Sequence, residues 1–239
     1  MHPDSPISAT LVCWGNAWLT RQAGLDEAVD RAERQAGPQL VAAADGDVPL
    51  RSFLAGLRGE GLASLRLALP VAGDPLGLTG PPPFNAAAIE AGQAAVAVLP
   101  GRCLGLVPVR DRRGSSYAGV RWSVFEASPA VPDVPSLAEA ERDLTLTMHA
   151  ATDALRGVEG PAQGHRRTTV GSEGLAPGYP ARAHRVAALA ARLSAALRAA
   201  DDRGLTSGQV AVRSQALRDL DRAVRRARVA AHHAITELV

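Results

Sequence analysis

Lysine is absent from this chain: all 26 basic residues are arginine. That absence excludes three chemistries. No residue can form a Schiff base with a carbonyl or with pyridoxal phosphate, none can serve as the Walker A lysine on a nucleotide phosphate, and none can be the strand lysine of a protein kinase. Aromatic residues are also scarce, at 3% of the chain, so Leu, Val and Ala must build the core. The abundance of Ala, Gly, Pro and Arg is the imprint of a GC-rich genome before it is a functional signal.

Cysteine is nearly missing too. Cys13 and Cys103 lie far apart and neither sits in a CxxC, so they read as reduced, buried, apolar residues rather than a disulfide or a metal pair. The opening MHPDSPISATLVCWGNAWLT has no basic leader and no long apolar core, which is not the pattern of a signal peptide. No run of about 18 apolar residues suits a membrane span, so the expected location is cytoplasmic, with no membrane partner.

What is present is a chain of 239 residues with 46% hydrophobic and 21% charged residues, enough to bury a core in one large or two modest domains. The first half alternates. Residues 8–14 (SATLVCW), 39–44 and 63–69 read as strands, and 25–36, 49–58 and 86–98 as helices, with Asp47 and Asn85 as expected helix caps. Residues 103–109 and 117–127 close that half as a hairpin around DRRGSS. SPAVPDVP, residues 128–135, is a proline-rich break.

Behind it the pattern is helical. SLAE at 136–139 is a capping box opening a helix to about residue 156, with a stripe of Leu137, Ala140, Leu144, Met148, Ala151 and Leu155. A second helix covers roughly 181–200. A third starts at the capping box TSGQ from Thr206, with Val210, Leu217, Val224, Ala231 and Leu238 every seven residues. The expected fold is α/β: a small, mostly parallel mixed sheet with intervening helices, followed by a three-helix C-terminal layer. The expected domains are 1–127, a linker at 128–135, and a helical part at 136–239.

Three features could carry function. Ligands of a parallel sheet bind beyond the carboxyl ends of its strands, where Trp14, Asn16, Asp45, Asp47, Asp74 and Asn85 would converge if the strands run parallel. Such carboxylates could hold a divalent cation or do acid–base work, although caps and turns account for them one by one. The glycine-rich loop within 65–92 has no GxGxxG and so does not read as a phosphate loop. The last helix carries Arg218, Arg222, Arg225 and Arg226, a face for nucleic acid or a partner. Residues 136–239 hold 15 arginines against 11 acids, while residues 1–135 hold 11 against 13. Asp221 neutralises part of that face and no aromatics are interleaved, so a solvated, salt-bridged face is the stronger reading. Trp14 and Trp18 read as lids on a core poor in large side chains. None of the six histidines forms HExxH, and no GxSxG elbow marks a nucleophile.

LVCWGNAWL near the start, PVAGDPLGLTGPPPFNAAAIEAGQA in the middle and the basic, alanine-rich helical tail together resemble a group of uncharacterised, alanine-rich actinobacterial proteins. The resemblance covers most of the chain and implies no activity, cofactor or partner. The residues themselves leave two readings: a non-enzymatic interaction or scaffold module that binds another protein or itself, and a small-molecule- or metal-dependent enzyme at loops 14–16, 45–47 and 70–85.

Overall fold

The computed structural model describes residues 5–43, 46–113, 117–156, 174–199 and 207–236. The protein divides into two compact units. The first comprises residues 1–134 with 175–180 and 232–239, and the second 135–174 with 181–231.

The first unit is built on a six-stranded mixed sheet. Its strands are β1 (Gln39–Ala43), β2 (Gly46–Pro49), β3 (Ser64–Ala68), β4 (Ala94–Leu99), β5 (Arg102–Arg113) and β6 (Tyr117–Ala127). They lie in the order β2-β1-β6-β5-β4-β3. The α/β class and the mixed sheet agree with the sequence pattern; the balance of directions does not. Only β1 and β6 pair in parallel, and the other four pairings are antiparallel. The cause is local. The connections from β1 to β2, β4 to β5 and β5 to β6 are two or three residues long, too short for a parallel crossover, and β3 and β4, joined through α4, make the fourth antiparallel pair.

Four helices accompany the sheet: α1 (Ile7–Leu19), α2 (Leu25–Ala36), α3 (Leu50–Gly59) and α4 (Pro82–Ala91). The expected strand at 8–14 is the first part of α1. Its apolar run reads alike as a buried strand or a buried helix, and the extension to Leu19 decides for the helix. Most of α1 is buried. The expected helix at 86–98 splits into α4 and β4, with Gly92 in a left-handed conformation (φ +66°) between them. Consequently Asn85 lies inside α4 instead of capping it. Asp47 does not cap α3, which follows Pro49, but lies in β2.

One face of the sheet packs on α4, where Phe84 and Ala88 meet Ala68, Val96, Cys103, Val107 and Ala127. Phe84 lies where a Cβ on Gly105 would be, so the bare backbone of β5 makes room for the ring. The scarce aromatics are placed economically: Phe84 and Trp122 are both fully enclosed. The Trp122 indole N–H donates to Gln39 Oε1 (2.8 Å), and Gln39 Nε2 donates to the Ala32 carbonyl (2.8 Å), joining β6, β1 and α2 without stranding a polar group.

The second unit holds α5 (Leu137–Arg156), α6 (Ala181–Ala199) and most of α7 (Ser207–His233). The SLAE capping box forms: Ser136 N–H donates to Glu139 Oε2 (2.9 Å) and Glu139 N–H donates to Ser136 Oγ (3.3 Å). These Ser136 bonds hold the exposed Glu139 carboxyl below its ordinary pKa. Of the α5 stripe, Leu137, Ala140, Leu144 and Ala151 are buried. The capping box at Thr206 and the heptad residue Leu238 fall outside the described residues.

A valine at Gly105 must displace the Phe84 ring. Gly105→Val should lower unfolding free energy by about 2–3 kcal/mol in urea titrations with an unchanged m-value.

Candidate functional site

Strand β3 ends the sheet, so its outward N–H and C=O groups have no neighbouring strand. Buried polar groups left in that state cost about 1–3 kcal/mol each. Leu65 and Leu67 of β3, and Leu69 just beyond it, are served from elsewhere. The fully buried Asn16 presents its amide to Leu65: Nδ2 donates to the Leu65 carbonyl (2.8 Å) and Oδ1 accepts the Leu65 N–H (2.8 Å). The Leu67 N–H donates to Nε2 of His233 (2.8 Å), and the Leu69 N–H donates to the Leu76 carbonyl (3.2 Å). One side-chain amide thus copies the bonding of a strand residue, an imidazole continues it, and the glycine-rich loop completes it.

The local sequence explains how α1 comes close enough. Gly15 has no side chain, and Leu65 Cδ1 occupies the space its Cβ would take. Gly77, at φ +87°, passes so near the strand that a Cβ there would lie 2.8 Å from the Leu67 carbonyl oxygen. The loop is tied at both ends. Val71 and Asp74 exchange N–H to C=O bonds (3.0 Å each), and Asn85 Oδ1 accepts the Gly80 N–H (3.0 Å). Ser128 N–H donates to the Gly80 carbonyl (3.0 Å).

The segment 175–180 also belongs to this side of the unit. The Ala176 N–H donates to Cys13 Sγ (3.0 Å), and the Tyr179 hydroxyl donates to the His232 carbonyl (3.1 Å). Burial, more than the nearby Cys13, pushes the Tyr179 phenol well above its ordinary pKa. His233 moves the other way. Burial first and the Arg66 guanidinium second push its pKa down to about 4. Nε2 can accept the Leu67 N–H only while unprotonated.

The residues expected at a ligand edge are distributed otherwise. Trp14 and Asn16 sit within α1, not beyond a strand. The Arg31 guanidinium lies over Trp14 (4.4 Å to the ring centre) and that of Arg58 over Trp18 (5.9 Å). Asp47 and Asp74 are at opposite ends of the strand order, because Asp47 is in β2 and Asp74 follows β3. Asp47 accepts from Arg121 Nε (2.9 Å) and lies 3.8 Å from Arg113, which also pairs with Asp111 (2.7 Å). Asp45 lies outside the described residues. Among the described residues no cluster of His, Cys, Asp and Glu could hold a metal. On α7, Arg218 and Arg222 are exposed while Arg225 and Arg226 are half-buried. Arg225 pairs with Asp221 (3.0 Å), and Arg218 donates to Gln215 (2.8 Å).

A feature the sequence did not announce is an apolar groove of about 500 Å³ within the helical unit. Thr147, Ala150 and Ala154 of α5 form one wall, and Ala211, Val212 and Ala216 of α7 the other. Val212 is 50% exposed, and Leu146, one turn before Ala150, is 63% exposed. The seven-residue spacing of α7 is satisfied unevenly: Val224 and Ala231 are buried, whereas Val210 and Leu217 remain half-buried. No helix among the described residues is long and apolar enough to cross a membrane.

Comparison with known proteins agrees with the resemblance carried by the sequence. Residues 8–137 match the family model described as Rv1486c-like protein, N-terminal domain, and residues 138–229 match the corresponding C-terminal domain. Two curated relatives, uncharacterized protein Rv1486c of Mycobacterium tuberculosis strain H37Rv and uncharacterized protein MT1533 of strain CDC 1551, are each 30% identical over 183 residues. The match covers 62% of this chain and 63% of each relative's length, less than two thirds of it. No solved structure matches.

Two substitutions separate these environments. Asn16→Leu, which strands both Leu65 groups, should cost about 2–4 kcal/mol in chemical denaturation. Asp47→Asn, at an exposed charge network, should cost under about 1 kcal/mol, and 1 M NaCl should erase the difference.

Proposed function

The chain belongs to the Rv1486c-like family, and we propose that it is a non-enzymatic interaction module whose helical unit pairs with a second copy of itself. The observation that carries this reading is the groove between α5 and α7. Its walls are mostly alanine, Val212 lines it while half exposed, and α5 carries a second exposed apolar side chain, Leu146, one turn before the lining residue Ala150. A two-fold contact places the same patch on both partners. The projecting side chains of one copy then fill the alanine-lined hollow of the other. Burying a Leu or Val side chain contributes about 1.5–3 kcal/mol, and the symmetry doubles each contribution. Gln215 and Asp219, also lining the groove, supply a polar rim.

The dispersal of Asp47 and Asp74 to opposite edges of the sheet supports this reading over a carboxylate-based enzyme, which needs them side by side. The paired and half-buried state of Arg225 supports it over a nucleic-acid surface. The buried cysteines Cys13 and Cys103, which form no disulfide with each other, fit a reducing, cytoplasmic setting.

Sedimentation velocity over a range of concentrations tests the pairing. Wild type should show a concentration-dependent dimer and Val212→Glu a monomer with an unchanged circular-dichroism spectrum. A wild type that sediments as a monomer throughout would overturn the reading.

A further inference from the structure

The bond that ties the end of α7 to the free edge of the sheet runs through a titratable nitrogen. We propose that the Leu67–His233 contact is an acid-released latch: proton uptake at Nε2 detaches the last residues of α7 from β3 and opens one position of the sheet edge, while Asn16 keeps the neighbouring position closed.

The geometry supplies each part. Leu67 N–H reaches Nε2 at 2.8 Å, and an imidazolium has no lone pair there to accept it. The two N–H groups would instead face each other. The charged group acting on His233 from the strand is Arg66, whose guanidinium donates to the Ala130 carbonyl (3.2 Å) and to Cys103 Sγ (3.5 Å), and it repels the imidazolium. Close by along the chain and the strand, the neutral Tyr179 hydroxyl donates to the His232 carbonyl, and the neutral Asn16 amide serves Leu65, two residues before Leu67. On its own helix His232 adjoins His233, and Thr236 N–H donates to the His233 carbonyl (3.0 Å). Once detached, an imidazolium at the carboxyl end of a 27-residue helix is favoured by the helix dipole.

The sign follows from the depressed pKa. Above the unfolded value of about 6.5 neither state takes up the proton, and the latch is fully closed. As pH falls from there toward about 4, the detached state binds the proton first, so acid favours opening. Asn16 has no titratable group, so Leu65 stays bonded across the same range. The edge therefore opens at one residue. A single freed N–H on an edge strand is where another extended segment begins to pair, which makes acid-dependent association through β3 the functional consequence.

The test is amide exchange at single residues on the full chain, read by NMR from pH 7 to pH 4 after correction for the intrinsic rate. Exchange at Leu67 should rise about tenfold or more across the titration of His233 while Leu65 keeps its protection. His233→Gln, whose side-chain oxygen can accept the same N–H without titrating, should hold Leu67 exchange flat over the same range. Leu67 protection that survives titration of His233 would overturn the latch. So would simultaneous loss at Leu65, Leu67 and the central strands, or a His233→Gln protein that opens at the same pH as wild type.

Discussion

An edge strand that is buried on its open side must find hydrogen bonds for every second residue, and β3 finds them in three unrelated parts of the chain. Asn16 comes from the first helix, His233 from the last, and Leu76 from the loop that follows the strand. Proteins usually manage such edges by keeping them short, charged or bulged. Here the edge is closed by groups that copy a neighbouring strand, and the arrangement constrains what surrounds it. Gly15 must lack a side chain for α1 to approach, Gly77 must adopt positive φ to pass the Leu67 carbonyl, and α7 must end at the strand.

The same constraint gives the glycine- and proline-rich loop its task. Its stiffness would suit a ligand site, yet its backbone bonds point back to its own protein: Leu76 to Leu69, Val71 to Asp74, Gly80 to Asn85 and to Ser128. Rigidity there serves to bring a carbonyl to the end of β3. The acidic residue in it, Asp74, is a turn residue, and Asp47 answers arginines at the far edge of the sheet.

The sequence made the helices α2, α3, α5 and α6 legible because each has a clean apolar stripe or a cap. The hairpin of β5 and β6 was equally legible from its two apolar runs. Strand directions were not. They depend on which strands become neighbours, and once residues 8–14 fold as helix the expected run of parallel crossovers is lost. Burial all around α1 removed the periodicity that would have distinguished helix from strand. The pair Gly15–Asn16 was the available signal, since two weak helix formers in the middle of a buried helix call for a reason in tertiary contact. Trp14 and Asn16 read in the sequence as ligand residues, whereas the structure sets an arginine over the one and bonds the other to a strand. His233 carries no local signature at all, because its partner lies 166 residues away. The α5–α7 groove was equally hidden: the heptad spacing shows that α7 packs lengthwise, not that its first turns remain half-covered.

By these bonds β3 is a finished edge. Native-state hydrogen exchange at neutral pH tests it most directly by comparing Leu65 and Leu67 with the amides of β2, the strand at the other end of the sheet. Leu65 and Leu67 should exchange as slowly as residues of the central strands β5 and β6. Exchange of those two amides at the rate of an exposed loop would contradict it.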